Sequence, residues 1–356
     1  MTRIPVTILT GFLGAGKTSL LKRLMTQPGF GDTAVIVNEF GEADLDGHLV
    51  NHVEDRAFAS TTGCLCCTVS GDVRFTLLRL MDEADRGVGP MFSRVVIETT
   101  GLADPGPILR TFMSTRRMLD RFAINGVVTL VDAVNGADAI DRFEEAGRQV
   151  AVADRLILTK GDLARDPASR RDLAALRQRL ATLNPNARLK HAEETTAGDM
   201  FSLAAFDPAG KPPDVRAWLR FDAPGEHGHE HDHDHHHDHD HSHDVNVHGA
   251  TTAFSFSADG PIAPADLEAA ISALQASFGA DILRIKGLVE ITDHPGAPCV
   301  LHVVGHVASP LRRLDGWPDG IDATRVVMIV AGPGRHAAPE MLARFLPELT
   351  PFSPST

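Results

Sequence analysis

A glycine-rich segment near the start of the chain has the spacing of a phosphate-binding loop. It reads Gly11-Phe-Leu-Gly14-Ala-Gly16-Lys17-Thr18 and fits the pattern Gly-x-x-x-x-Gly-Lys-Ser/Thr at every fixed position. Glycines let the backbone N–H groups face phosphate oxygens, and the N-terminus of the following helix adds its positive dipole end. The sequence therefore predicts a nucleoside triphosphate site that consists of Gly11, Gly14, Ala15, Gly16, Lys17, Thr18 and Ser19.

Glu98 and Gly101 are expected to complete the phosphate end of this site, beside Lys17 and Thr18. Lys17 should reach the β- and γ-phosphates, and Thr18 should ligate Mg²⁺. The apolar run Val95–Ile97 predicts a buried strand that ends in Glu98, a Walker B-type acid that would share the Mg²⁺. Gly101 then lets the backbone approach the γ-phosphate. Catalysis at such a site is mainly electrostatic, because the lysine, the metal and the loop N–H groups stabilise the transferring phosphoryl group.

A base-reading element follows a later apolar run. Thr159-Lys160-Gly161-Asp162 resembles the guanine motif Asn-Lys-x-Asp, with Thr159 in place of the common Asn. Asp162 would accept hydrogen bonds from both guanine N–H donors, while the stem of Lys160 lies over the ring. Adenine lacks these two donors and would leave the carboxylate unpaired, so the motif favours GTP. The plainer interpretation is an ordinary turn between a strand and a helix.

Three of the four cysteines lie within four residues of each other. Cys64, Cys66 and Cys67 can together ligate one metal ion, if a turn at Cys67 brings it to the face that Cys64 and Cys66 share in an extended chain. Soft thiolates favour Zn²⁺, Co²⁺ or Cu⁺, and three of them leave one coordination position open, as a transfer site requires. Three small buried residues would be the alternative. Cys299 lies in an apolar run and is expected in the core.

The charge distribution separates the chain into parts. Lys plus Arg number 34 and Asp plus Glu 47, so the net charge of −13 argues against nucleic acid and anionic membranes as partners. The sequence has no transmembrane run and no room for a signal peptide before the loop, so a cytoplasmic location is expected. Eleven of the 18 histidines lie between residues 227 and 248, and eight acids lie between residues 222 and 244. Such a segment cannot bury a core and is expected to be disordered.

The position of this His- and Asp-rich segment predicts the domain boundaries. We expect a nucleotide-binding domain over residues 1–200, a His- and Asp-rich linker over 201–249, and a small C-terminal domain over 250–356. Apolar runs alternate with helical stretches in the first part, which predicts an α/β fold of the P-loop NTPase type with a mostly parallel sheet. The last part predicts an α+β domain with an antiparallel sheet.

Together these motifs resemble the CobW-like family of P-loop GTPases. The resemblance extends to Asn38-Glu39-Phe40-Gly41-Glu42, to Glu98-Thr-Thr-Gly101 and to Leu283-Arg284-Ile-Lys286-Gly287. It implies a GTP-dependent metallochaperone that binds GTP, Mg²⁺ and Zn²⁺ or Co²⁺, and that passes metal to a client metalloprotein or a chelatase. Glu39 and Glu42 would belong to a switch segment and contact Mg²⁺, water or the delivered metal, although a solvated acidic loop is the alternative. The oligomeric state, monomer or homodimer, stays open.

Several functions fit the same residues. Zn²⁺ delivery is the leading hypothesis, and cobalt delivery to a chelatase in cobalamin synthesis is close to it, because the ligand types barely separate the two metals. A metal buffer with nucleotide-regulated affinity needs no client. A P-loop kinase with a structural zinc is disfavoured by the Thr159–Asp162 element. The His-rich linker either gathers metal near the cysteines or is a passive tether.

Overall fold

Apolar runs along the chain become the strands of two β-sheets, one in each half. The computed structural model describes residues 3–38, 57–59, 65–69, 73–89, 91–185, 187–203, 251–318 and 321–351, with the backbone alone at 38, 57–59 and 65–69. Of the predicted linker 201–249, all but the first three residues lie outside the described residues. Phe201 packs its ring 5.3 Å from that of Phe30, and Leu203 is buried, so these first residues belong to the packed first half.

Among the described residues, the first sheet has eight strands. They are β1 (Ile4–Gly11), β2 (Thr33–Asn38), β3 (Ala57–Ala59), β4 (Leu65–Val69), β5 (Arg94–Thr99), β6 (Phe122–Asp132), β7 (Arg155–Thr159) and β8 (Arg188–His191). Their order is β3-β4-β2-β5-β1-β6-β7-β8. All neighbours are parallel except β3, which runs antiparallel to β4. The predicted α/β class with a mostly parallel sheet is confirmed.

Helices connect these strands and cover both faces of the sheet. They are α1 (Lys17–Met25), α2 (Val73–Asp85), α3 (Gly106–Ser114), α4 (Arg116–Arg121), α5 (Gly136–Arg142), α6 (Glu144–Ala151), α7 (Pro167–Leu183) and α8 (Ala197–Phe201). The sequence predicts a helix over Ser169–Leu183, and α7 begins two residues earlier, at Pro167. The reason is a cap at Asp166, whose side chain accepts from the backbone N–H groups of Ala168 and Ser169, with Pro167 in the first helical position.

Each face of the parallel sheet has its own apolar layer. Val35 and Val96 pack with Leu20 and Leu24 of α1, whereas the next residues along the same strands, Ile36 and Ile97, pack with α2 on the other face. Alternation of side chains along a strand explains this division. Because both faces are buried, the strands are continuous apolar runs, and their polar residues collect at the carboxyl ends. There β1, β5, β6 and β7 end at Gly11, Thr99, Asp132 and Thr159.

The second sheet is antiparallel and carries two helices. Its elements are β9 (Thr252–Ala258), α9 (Pro264–Phe278), β10 (Ile282–Glu290), β11 (Pro298–Val304), β12 (Val307–Ala308), β13 (Arg312–Arg313), β14 (Thr324–Val330), α10 (Ala337–Phe345) and β15 (Thr350–Pro351). The strand order is β12-β11-β10-β14-β9-β15, with β13 beside β11. Both helices pack on one apolar core, to which Cys299 contributes as predicted. The predicted antiparallel second unit is confirmed.

The two halves share a third apolar layer. Ile8, Leu109 and Val127 of the first half pack with Leu283 and Ile329 of the second. Beside this layer, Asp154 accepts hydrogen bonds from Arg284 (Nη1 to Oδ2, 3.0 Å) and from the Lys286 ammonium. All three side chains are largely buried. Burial alone would raise the pKa of Asp154, but the charges of Arg284 and Lys286 lower it to about 2.

Three strands of the first sheet, β3, β4 and β8, escape prediction from the sequence. The edge strand β8 has the sequence Arg-Leu-Lys-His, which lacks an apolar run because one edge faces away from the sheet. The β4 strand contains Cys66 and Cys67, where the sequence predicts an extended chain with a turn at Cys67. Within the described residues, no helix is long and apolar enough to cross a membrane.

Candidate nucleotide and metal site

The phosphate loop connects the carboxyl end of β1 to the first turn of α1. Gly14 (φ 73°) and Gly16 (φ 87°) have left-handed backbone conformations, which favour glycine. Gly16 is the N-cap of α1 and has no side chain to satisfy the first N–H groups of the helix. Thr18 and Ser19 are exposed in that first turn. The loop therefore presents free N–H groups and a helix N-terminus to an anion.

Lys17 is folded back over the loop. Its Nζ donates to the carbonyl of Gly11 at 2.6 Å and lies 3.4 Å from that of Phe12. Burial lowers the pKa of Lys17, and the negative charge of Glu98 opposes this shift. The ammonium group is thus held beside the concave side of the loop, next to an acid, where it can contact phosphate oxygens.

Thr18 and Glu98 meet across the sheet. The Thr18 hydroxyl donates to Glu98 Oε1 at 2.6 Å, and the Glu98 side chain is buried at 4% exposure. The parallel pairing of β5 with β1 brings this acid to the loop, because the register sets Leu9 opposite Glu98. A hydroxyl and a carboxylate oxygen at this separation are the hard oxygen ligands that Mg²⁺ prefers, so the residues present fit that ion.

Gly101 packs against the phosphate loop from the turn after β5. A Cβ at this position would lie 2.7 Å from the backbone N and Cα of Leu13, so the turn can approach the loop this closely only with glycine. Gln149 of α6 fixes the same turn, since its Nε2 donates to the carbonyls of Gly101 (3.1 Å) and Ala103 (2.9 Å). Gln149 is buried and was not singled out from the sequence; a polar residue within an otherwise apolar helix face was the available signal.

Thr159 joins the end of β7 to the phosphate loop. Its hydroxyl donates to the carbonyl of Ala15 at 2.9 Å and lies 3.3 Å from that of Val131. Thr159 is buried, and Ala15 is buried in the loop. The residue that replaces the common Asn of the guanine motif therefore contacts the loop rather than solvent.

Lys160 and Asp162 follow directly. Lys160 has a positive φ of 58°, and its Nζ donates to Asp132 Oδ2 at 2.6 Å. Burial would raise the pKa of Asp132, but hydrogen bonds from Lys160, from the Val134 N–H and from Asn135 lower it. Asp162 lies in an exposed turn after β7. Asp132 was not predicted to take part, although it ends an apolar strand at the same edge as Glu98.

A cavity of about 310 Å³ extends from the phosphate loop to Lys160. Its walls include Phe12 and Leu13 of the loop and Phe143, which contacts Phe12 with ring centroids 4.7 Å apart. Asp132 and Lys160 also line the cavity. Gly14 and Ala15 of the phosphate loop and Lys160 of the base element therefore border one common space, whereas Asp162 is not among its lining residues.

The predicted metal ligands are placed only in part. Cys66 and Cys67 are consecutive residues of β4, in register with Val35 and Ile36 of β2, so the turn expected at Cys67 is wrong: the strand continues because both positions pair with β2. Cys64, Glu39 and Glu42 lie outside the described residues. Among the described residues, no three His, Cys, Asp or Glu side chains are grouped to hold a metal ion. The cysteine metal site stays a prediction.

Comparison with known proteins matches both halves of the chain. The family model of the CobW/HypB/UreG nucleotide-binding domain matches residues 5–190. The model of the cobalamin synthesis protein CobW C-terminal domain matches residues 251–347. The two matched ranges correspond to the two sheets and leave the His-rich segment between them.

Curated relatives match the first half. The zinc chaperone YjiA of Escherichia coli is 43% identical over 187 residues, which are 52% of this chain and 57% of the relative. The zinc-regulated GTPase metalloprotein activator 1 of Schizosaccharomyces pombe is 36% identical over 208 residues, which are 56% of this chain and 48% of the relative. The chain thus spans about half the length of the curated relatives it matches.

A solved structure is similar over nearly the whole chain. The crystal structure of the Zn(II)-bound YjiA GTPase from E. coli superposes with a TM-score of 0.69 at 29% sequence identity. The alignment covers 97% of this chain and 99% of that chain. The two sheets and their order along the chain are therefore a known architecture.

Proposed function

Because the chain belongs to the CobW/HypB/UreG family of nucleotide-binding proteins, as the resemblance predicted, we propose that it is a GTP-hydrolysing metallochaperone for zinc. In this proposal the protein binds Zn²⁺ and delivers it to a client metalloprotein. The names of its relatives, a zinc chaperone and a zinc-regulated GTPase metalloprotein activator, support this assignment.

One observation carries the nucleotide part of the proposal. The phosphate loop, the acid of β5 and the end of β7 are already joined by the hydrogen bonds of Thr18 to Glu98 and of Thr159 to Ala15. Side chains that are held in place before the substrate arrives need little reorganisation when phosphoryl transfer begins. A glycine-rich turn without a ligand would have no need of these contacts.

The hydrolytic step is assigned to electrostatic stabilisation. Lys17 and the loop N–H groups would hold the β- and γ-phosphates, and Thr18 and Glu98 would hold Mg²⁺. When bound, Mg²⁺ supplies positive charge to the phosphate oxygens. Glu39, which follows β2, is proposed to act on the attacking water, and Glu42 on Mg²⁺ or on the delivered metal. Gly101 would allow the turn after β5 to approach the γ-phosphate.

Guanine selectivity is assigned to Asp162 and Lys160. The carboxylate of Asp162 would accept from the two guanine N–H donors, and the stem of Lys160 would cover the ring. The ion pair with Asp132 supports this role, because it fixes the ammonium of Lys160 and thereby its stem. Thr159 then has a structural role, and Lys160 and Asp162 make the contacts with the base.

The cargo site is assigned to the thiolates of Cys64, Cys66 and Cys67. The β4 strand, which contains Cys66 and Cys67, pairs with β2, and β2 pairs with the strand that ends in Glu98. Two strand pairs therefore separate the proposed metal ligands from the proposed Mg²⁺ ligand. The β4–β2 and β2–β5 strand pairs would therefore connect the cargo site to the nucleotide site over a short distance. Co²⁺ fits the same thiolates and is an outcome that the metal titrations below distinguish.

Base selectivity provides the first test. Purified protein in Mg²⁺ should hydrolyse GTP and leave ATP largely untouched. The Asp162→Asn variant should lose GTP affinity at least about a hundredfold, since one amide cannot accept both guanine N–H groups. It should gain affinity for xanthosine triphosphate, whose C2 carbonyl accepts from the new amide. Steady-state turnover with the three nucleotides measures this.

The Asp166→Asn variant is the matched control, because it changes a nearby exposed acid that caps α7. Its nucleotide preference should equal that of the wild-type protein. ATP turnover as fast as GTP turnover in the wild type, or an Asp162→Asn variant with unchanged preference, would refute the GTPase assignment. Turnover that rises when an apo client is added would favour delivery over metal buffering.

A further inference from the structure

A second cavity lies between the two halves, away from the phosphate loop. Its volume is about 660 Å³, within the range of roughly 300 to 1,000 Å³ that is typical of small-molecule sites. One wall comes from α3, α4 and the start of β6, and the other from β10, β11 and the segment 307–312. None of the residues predicted for the nucleotide site lines this space.

The charged residues of this interdomain cavity are mostly cationic. Arg3, Arg116, Arg284 and Arg312 line it, and Asp120 is the one acid among the described lining residues. Asp120 lies 3.7 Å from Arg116, and both of these side chains are exposed. Arg3 has no ion-pair partner among the described residues. The mouth of the cavity therefore carries an excess of positive charge.

Arg284 forms the buried end of the cavity. Its side chain is 3% exposed, and its Nη1 donates to the carbonyl of Val152 (2.7 Å) and to Asp154 (3.0 Å). Its Nε donates to His302 Nε2 at 3.2 Å. Within the described part of the chain, its Nη2 meets no acceptor. A guanidinium has donors only, and Arg284 lines the cavity, so this nitrogen is available to donate to a ligand there.

His302 adds a second donor at the same end. Burial and the nearby positive charges of Arg284 and Lys286 hold the pKa of His302 well below its usual value, against the pull of Asp154. The ring is therefore neutral at pH 7, and because Nε2 accepts from Arg284, the proton is on Nδ1. Arg284 also shares its carboxylate partner, Asp154, with Lys286. The buried end thus offers two kinds of N–H donor, and the Asp154 carboxylate there is shared between two cations.

Most of the remaining lining residues are apolar. Phe112, Met113 and Phe122 come from the first half, and Val300 and Val307 from the second. A ligand that fills this volume must bury an apolar body as well as an anionic group. Inorganic anions lack such a body, and a neutral apolar molecule would leave the Arg284 donor unmatched.

We propose that this interdomain cavity binds a small organic carboxylate, with its carboxylate at Arg284 and His302 and its apolar body against Phe112 and Val300. Two oxygens of one carboxylate match the two available donors, the Arg284 Nη2 and the His302 Nδ1. The arginines at the mouth attract the anion. The site is separate from the proposed GTPase and zinc functions and does not depend on them.

The test compares 4-phenylbutyrate with its neutral isostere 4-phenylbutyramide by calorimetric titration. The protein is saturated with Mg²⁺ and GDP, so that the cavity beside the phosphate loop is not available to either probe. The carboxylate should bind, and the amide should bind at least about tenfold more weakly, since it loses the charge-assisted hydrogen bonds. Saturating carboxylate should also raise the melting temperature.

Variants locate the binding. The double variant Arg3→Gln, Arg116→Gln changes the mouth without touching the buried donors and should weaken the carboxylate by about fivefold or more at low salt. Arg117→Gln, which removes an exposed arginine paired with Asp82 outside the cavity, should leave binding unchanged. Equal affinity for acid and amide, or no loss in the double variant, would overturn the proposal.

Discussion

At the scale of single residues, Thr159 is the departure from the guanine motif that the structure explains. The sequence shows that Thr159 differs from the motif, but it does not show the role of Thr159. Its partner is the carbonyl of Ala15, which lies 144 residues earlier in the chain. The Thr159 hydroxyl connects the base element to the phosphate loop through this hydrogen bond. Asp132 and Gln149 were missed for the same reason: their partners are set by the order of the strands and helices in space.

Removal of this hydroxyl should weaken nucleotide binding. Thr159→Val keeps the shape of the side chain but leaves the buried Ala15 carbonyl without its donor, at a cost of about 1–3 kcal/mol. The dissociation constant for GTP should rise about tenfold, as fluorescence titration with a labelled analogue would measure. Thr159→Ser keeps the donor and should bind GTP like the wild type. Equal GTP affinity in the valine variant would show that this hydrogen bond has no part in binding.

At the scale of elements, apolar periodicity predicts the buried parts of the sheet well. The sequence predicts a strand over Arg94–Thr99 and a helix over Pro264–Phe278, and β5 and α9 have these bounds, because a buried strand or an amphipathic helix has a clear pattern. Edge strands such as β8 have no such pattern. The position of β4 also could not be predicted, because its cysteines were interpreted by their chemistry and not by their pairing with β2.

The contact between the turn after β5 and the phosphate loop gives an element-level prediction. A Cβ added in Gly101→Ala would overlap the backbone of Leu13, so the loop must shift. Overpacking of this kind costs about 1–3 kcal/mol, and GTP affinity or turnover should fall at least about fivefold. Gly147→Ala in α6, where a Cβ meets open space, should leave both unchanged. Unaltered turnover in Gly101→Ala would mean that the close approach is not needed.

At the scale of the whole molecule, one apolar layer and one buried ion cluster hold the two halves together. The sequence singles out Leu283–Gly287 as an element of the family but not its partner, since Asp154 is 130 residues from Arg284. Burial and the charge of Arg284 lower the pKa of Lys286 to about 8, against the pull of Asp154, so Lys286 stays mostly charged at pH 7. The interface therefore depends on the Asp154 carboxylate.

Replacement of Asp154 should loosen the interface strongly. Asp154→Asn leaves Arg284 and Lys286 buried without their carboxylate, a change that typically costs about 3–5 kcal/mol. Urea unfolding at pH 7 should show this loss, and the two halves should cease to unfold together. Asp82→Asn removes the exposed partner of Arg117 and should cost less than about 1 kcal/mol. Similar effects of the two variants would contradict the role of the cluster.

The same cluster predicts the acid dependence of stability. The pKa of Asp154 is about 2 in the folded protein and about 3.9 in an unfolded chain, so its contribution is complete above about pH 4 and is lost as the pH falls through about 2. The difference in unfolding free energy between wild type and Asp154→Asn should shrink over this range. A difference that is constant from pH 6 to pH 2 would contradict the assigned ionisation.

In the proposed function, the nucleotide and the cargo metal each change the affinity of the protein for the other. The most direct measurement is the Zn²⁺ affinity of the protein, in Mg²⁺, with a non-hydrolysable GTP analogue and with GDP. It is repeated with Cys64, Cys66 and Cys67 changed to Ser, and with residues 227–243 deleted to remove metal binding by the His-rich segment. A parallel titration with Co²⁺ identifies the preferred cargo.

We expect the Zn²⁺ affinity to differ between the two nucleotides by at least about fivefold, the lower end of typical coupling between sites. This difference should persist in the deletion variant and vanish in the serine variant. If the Zn²⁺ affinity of the wild type is the same with both nucleotides and survives in the serine variant, the claim is contradicted, and the protein is a metal buffer with a separate nucleotide activity.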